Sequence, residues 1–291
     1  MNEKTGPHHV IDLSPERRVM INMLNLEGPK HFMYGLLEVD VTAVRQFIAD
    51  YKIQTGETLS FTGFLTHCLG RAVAEDKSVQ AYQKGHKQLV LFDDVNVGLM
   101  IERQVGEKRT LMGYVVQGAN HKTYWQIHQE IRSVQSTPVQ PDRGMPTWFR
   151  LAISLPWPFS RVFNAFIRTA VQRDPTISVS MAGTVGITSV GMFGGGHSGW
   201  GIASTIHSLD LVVGSINLKP VVVNGRIEPR EILNLTVVFD HDVIDGAPAT
   251  RFVRRLVELI ESGYGLDSIP PAQCQSAEIE KHDSCKDVQL V

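Results

Sequence analysis

His241 and, four residues later, the Asp245-Gly246 pair are the residues whose types and spacing best suit chemistry. An imidazole gains and loses a proton near neutral pH, so it can act as general base on a thiol or hydroxyl nucleophile. An aspartate four residues on can hold the local structure, through a helix cap or an arginine pair. Gly246 lets the backbone turn tightly after it. Taken singly, each has a plainer reading: a histidine beside a strand end is more often structural, and Asp245 more often a cap. Acyl transfer also needs a donor for the oxyanion of its tetrahedral intermediate. Residues 183–191 offer the hydroxyls of Thr188 and Ser189 beside glycines that allow close approach. From that stretch alone they read as ordinary strand and turn residues.

The surrounding elements would position these groups well. The apolar run 233–239 reads as a strand delivering His241. Phe252, Val253, Leu256, Val257 and Ile260 mark the buried stripe of the helix that follows, with Asp245 as its cap. A histidine between strand and helix is held rigidly yet stays accessible. Residues 185–190 read as a short strand carrying Thr188. Strands over 211–216 and 220–223 follow, and Asn224-Gly225 signals a hairpin. Upstream, Ser14-Pro15 opens a helix, 32–39 is a strand, and Asp40 caps a helix with Val44, Phe47, Ile48 and Tyr51 on one face. Residues 61–73 form a third helix, Val95 to Ile101 alternate as a strand should, 113–116 forms another strand, and a helix around Trp125 ends near Thr137-Pro138. Residues 147–170 are apolar but carry arginines and prolines. They read as a helical excursion packed on the protein, with contact to a membrane or partner as the sharper alternative.

Bulk properties narrow the classes. The chain has 291 residues, of which 43% are hydrophobic and 20% charged, with a net charge of −2. There is no basic field for nucleic acid. Cys68, Cys274 and Cys285 form no CxxC pair, so neither zinc nor a disulfide framework is expected, and a reducing, cytoplasmic setting is the default. Residues 1–10 read as an extension, 11–271 as one α/β domain with an apolar insert at 138–182, and the polar stretch 272–291 as a disordered tail.

Several motifs in order resemble one family. Residues 183–191 are similar to a GTxTI(S/T)N-x-G stretch, 219–225 to a KPVVxDG hairpin, and 240–247 to DHRxxDGA. Residues 13–20 are similar to LSxxRxxIA, 37–42 to EVDVT, and 95–98 to an xNIGI strand. Together they resemble the catalytic domain of the dihydrolipoyl acyltransferases of 2-oxo acid dehydrogenase complexes, over roughly residues 10–265. The resemblance implies a chloramphenicol acetyltransferase-like two-layer sandwich with a mixed β-sheet. It implies coenzyme A or acyl-CoA as substrate, with a lipoyl group presented in trans. His241 would be the base on the thiol and Thr188 the oxyanion stabiliser, with Ser189 and Gly246 lining the site. Asp245 would hold the loop by pairing with an arginine, for which Arg17 is the candidate. A homotrimer or higher oligomer is implied, with His241 and Thr188 contributed by different chains, and a lipoyl-carrier protein as partner.

The departures are specific. Asp242 stands where the family has arginine, which would favour a protonated His241. Ser189 stands where it has asparagine, and no stretch reads as a lipoyl or subunit-binding domain. A coenzyme A-dependent acyltransferase is the first reading. A catalytically inactive oligomeric scaffold, or a small-molecule O- or N-acetyltransferase, is the alternative.

Overall fold

A computed structural model describes residues 30–85, 87–105, 108–137, 173–190 and 197–271, and in addition residues 21, 165, 166 and 169–171. Alternating apolar residues make β1 (Phe32–Asp40), which runs into α1 (Thr42–Thr55). Ser60 caps α2 (Phe61–Glu75) by accepting from Gly63 N–H, and α2 buries nine of its fifteen residues, as a central helix must. A short hairpin, β2 (Tyr82–Lys84) and β3 (Gln88–Val90), precedes the longer hairpin of β4 (Val97–Val105) and β5 (Lys108–Val116). Thr123 and Gln126 close a capping box on α3 (Tyr124–Ser136). The short α4 (Thr176–Ala182) leads into β6 (Val185–Ser189). β7 (Leu209–Val223) and β8 (Arg226–Asp240) form a long hairpin, and α5 (Gly246–Glu261) is the last α-helix among the described residues.

The main sheet has six strands in the order β1-β8-β7-β6-β4-β5. β4, β6 and β7 are mutually parallel, while β1, β5 and β8 pair antiparallel, so the sheet is mixed. The odd-numbered residues of β8, β7, β6 and β4 (Leu235, Leu211, Ile187 and Leu99 among them) join α1, α2, α3 and α5 in one core. Val212, Ile232 and Val238 point the other way and are buried outside that core. There the 197–206 segment lies against the sheet: Trp200 Nε1–H donates to Leu37 O at 2.9 Å, and Asn234 Nδ2–H to Ser198 at 2.8 Å. The mixed two-layer architecture matches the sequence expectation.

Boundaries differ in instructive ways. The two strands expected over 211–216 and 220–223 are one, because a bulge between Val213 and Ile216 absorbs the irregularity and Pro220 faces Pro229 where neither N–H is needed. Asp40 does not occupy the cap position of α1, which is Val41. Its carboxylate still accepts from Thr42 N–H at 2.9 Å and from the Thr42 hydroxyl at 2.6 Å. Asp245 does take the cap position of α5 but makes no side-chain cap hydrogen bond, so its expected capping role is not fulfilled. The helix expected at Ser14, the 147–164 part of the apolar excursion and the 272–291 tail lie outside the described residues.

Candidate active site

His241 follows the last residue of β8, and its turn is fixed from several sides. Its N–H donates to His31 O at 2.6 Å, and Val243 and Ile244 N–H both donate to Asp240 O at 3.1 Å. The Asp240 carboxylate, almost wholly buried, accepts from Asp242 N–H at 3.0 Å and lies 3.4 Å from Lys30 Nζ. Burial pushes the Asp240 carboxyl up from the usual carboxylate range, against the pull of Lys30. Lys30 also donates to Ile206 O at 3.0 Å and lies over the Tyr82 ring. The His241 side chain is 48% exposed, so the turn is rigid while its imidazole is open to solvent.

Asp242 does not engage His241. Its carboxylate lies 2.9 and 3.2 Å from Nδ1 of His31. A carboxylate only accepts, so the ring carries its proton on Nδ1. The acid beside the base is thus turned to another partner. Asp245 is 89% exposed and its Oδ1 stands 4.0 Å from His241 Nδ1, a loose approach within the turn.

Thr188 is placed by a different construction. A buried polar network anchors the start of its strand: the Thr184 hydroxyl donates to Gln80 Oε1 at 2.7 Å and accepts from Asn96 N–H, while the Tyr82 hydroxyl donates to Thr184 O at 3.0 Å. Val185 and Ile187 point into the core; Gly186 and Thr188 face the other side of the sheet. Over Gly186 sits an ion pair, His207 Nδ1 to Asp210 Oδ1 at 2.8 Å, and His207 Nε2 faces Ala182 O at 3.1 Å. A Cβ at Gly186 would run into the Asp210 carboxylate, which is why glycine stands there. Thr188 lies two residues further, half-buried, and Ser189 is exposed.

Strand register gives the distance between the two halves. Thr188 pairs with Val212, which pairs with Thr236, and His241 lies five residues beyond Thr236 on β8. At about 3.3 Å per residue and 4.8 Å per strand, Thr188 and His241 of one chain are roughly 15–20 Å apart. One chain does not bring them onto one substrate. His241, Asp242, Asp245 and Gly246, the first residue of α5, do share one turn. Arg17 lies outside the described residues. Lys30 and His31 escaped sequence reading, being more than 200 positions from the residues they hold. The signal was only their adjacency to β1, the strand paired with β8. Among the described residues no three His, Cys, Asp or Glu side chains converge as a metal site would need.

The chain belongs to the 2-oxoacid dehydrogenases acyltransferase (catalytic domain) family, whose family model matches residues 5–138 and 158–266. It is 26% identical over 236 residues to the lipoamide acyltransferase component of the branched-chain alpha-keto acid dehydrogenase complex of Bacillus subtilis (strain 168), covering 79% of this chain and 46% of that protein. It is 27% identical to the dihydrolipoyllysine-residue succinyltransferase component of the 2-oxoglutarate dehydrogenase complex of Bartonella vinsonii subsp. berkhoffii, covering 77% and 46%. The chain thus spans about half the length of these curated relatives. Its fold is that of Azotobacter vinelandii dihydrolipoamide acetyltransferase, with a TM-score of 0.65 at 18% identity over 91% of this chain and 96% of that one. That structure belongs to crystallographic and enzymatic investigations of the role of a serine, a histidine and an asparagine in its catalytic mechanism. The truncated catalytic core of the Thermoplasma acidophilum 2-oxoacid dehydrogenase multienzyme complex also matches, with a TM-score of 0.60 at 20% identity over 88% and 100%.

Proposed function

We propose that the protein is a coenzyme A-dependent acyltransferase of the dihydrolipoyl type, working at a site formed between chains. His241 takes the proton from the thiol of coenzyme A or of a dihydrolipoyl group. The thiolate attacks the carbonyl carbon of the acyl thioester held by the other thiol. The Thr188 hydroxyl of a neighbouring chain donates to the oxyanion. On collapse, the leaving thiolate recovers the proton from the His241 imidazolium. The observation that carries this reading is the half-exposed His241 in a turn whose backbone is hydrogen-bonded and whose adjacent carboxylates, Asp240 and Asp242, are both tied down.

The separation of Thr188 and His241 within one chain supports the inter-chain site, and so does the β7–β8 hairpin. Beyond the bulge its Leu218, Val222 and Ile227 are 71%, 70% and 75% exposed on strands that only pair with each other. An apolar ribbon of that kind is suited to a second copy, giving a homotrimer or larger assembly. The acyl group arrives on a lipoyl-carrier protein. The test mixes the purified protein with acetyl-CoA and free dihydrolipoamide beside a His241→Ala control. Transfer at the control's rate would dismiss the catalytic reading and leave a non-catalytic oligomeric scaffold, which the exposed and loosely held Asp245 would suit.

A further inference from the structure

Two residues outside the proposed reaction grip the His241 turn, and they do so at three successive positions. Lys30 lies on the Asp240 carboxylate, His31 O accepts from His241 N–H, and the His31 ring holds the Asp242 carboxylate. The pair stands immediately before β1, whose Phe32 is in register with Asp240. The backbone bond therefore continues the antiparallel ladder one step past the sheet, and the two side-chain contacts flank it. The backbone bond fixes where the imidazole starts; the ring bond fixes where the neighbouring negative charge goes.

We propose that His31 is a positioning residue for His241, which sets the basicity of the imidazole by holding the Asp242 carboxylate away from it. This rests on His241 as the base. A free carboxylate one residue from an imidazole stabilises its protonated form and so lowers the fraction of neutral base at neutral pH. His31 Nδ1–H occupies both Asp242 oxygens, at 2.9 and 3.2 Å, and directs that charge towards β1. An acid is thereby tolerated at 242, beside the base. The other charged groups around the turn are already committed or differently placed. Asp240 is held by Lys30, and His207 and Asp210 at the start of β7 pair with each other. Asp245, at 4.0 Å, is the remaining carboxylate near the ring, and the His31 variants leave it unchanged.

The experiment measures acyl transfer from acetyl-CoA to dihydrolipoamide across the pH range where imidazole titrates, and in parallel follows the His241 ring by NMR in the intact chain. In His31→Ala the acidic limb of kcat/KM moves up by about half a pH unit, so that below the limb the rate falls about threefold, with KM little changed. His31→Asn, whose amide nitrogen sits where Nδ1 was, restores the wild-type limb. Asp242→Asn in the His31→Ala background also brings the limb back, by removing the charge itself. The ring titration shows the same displacements without turnover. A limb unmoved in His31→Ala, or one that Asp242→Asn fails to return, overturns the proposal. A wild type no faster than His241→Ala overturns instead the assignment of the base. In that event the ring titration alone decides whether His31 governs the imidazole.

Discussion

His128 has no exposed surface, and both of its ring nitrogens are in use. Nδ1 accepts from Ser60 N–H at 3.1 Å and Nε2 donates to Glu57 at 2.8 Å. A second proton would sit on Nδ1 and set two donors against each other. Burial lowers the pKa of His128, and likewise of His67, against the raising pull of Glu57 and of Lys122 O respectively. The unfolded chain therefore binds protons first as the pH falls. Their stabilisation is complete above the ordinary histidine value of about 6.5 and is lost as pH drops through it towards the depressed folded values. Thermal unfolding should move to lower temperature between neutral and mildly acidic buffer, and less so in His128→Gln. At the site, Thr188→Ala should slow acyl transfer by about 10²–10³ through the lost oxyanion donor. Thr188→Ser should retain most of the rate, and single-turnover kinetics separates the two. The His241-to-Asp245 spacing was legible because it lies within one turn. The partners of Asp242 and Asp240 were not, because contacts across 211 positions leave no local pattern.

Among elements, α5 shows what periodicity conveys. Phe252, Leu256 and Ile260 are buried as the 3.6-residue pattern requires, while Val253 and Val257 are only partly so, on the flank of the stripe. Truncating Leu256, which has no exposed surface, to alanine should cost about 2–5 kcal/mol, seen as a lower urea midpoint with unchanged slope. The β7–β8 turn was legible for a conformational reason. Asn224 and Gly225 both have positive φ, 50° and 78°, as a type I′ turn needs. The unbroken length of β7 was not, since a proline and a bulge look in sequence like an interruption. The β2–β3 hairpin was also missed: three-residue strands are too short to show alternation.

For the whole molecule, the proposed inter-chain site ties activity to assembly. Sedimentation should give a trimer or a multiple of it, and replacing Val222 and Ile227 with lysine should yield smaller species that lose acyl transfer while keeping the far-UV spectrum. A monomer at working concentration in the unaltered protein would remove the shared site. The helical layer and the longer strands were readable from patterning. The strand order was not, because it is set by which edges meet after long excursions of the chain.

The strand order also constrains the timing of folding. β1 is the first described strand, yet its sole neighbour in the sheet is β8. While the chain is being made, residues 32–40 thus have no strand to pair with until residue 240 has left the ribosome. Until then β1 is an unpaired apolar segment, open to other chains. Closing so long a loop also slows folding. Refolding should therefore be slow, with α2 and α3 protected from hydrogen exchange before β1. The clamp of residues 30–31 on the His241 turn should be among the last contacts to form, so the base acquires its final setting only when the fold is complete.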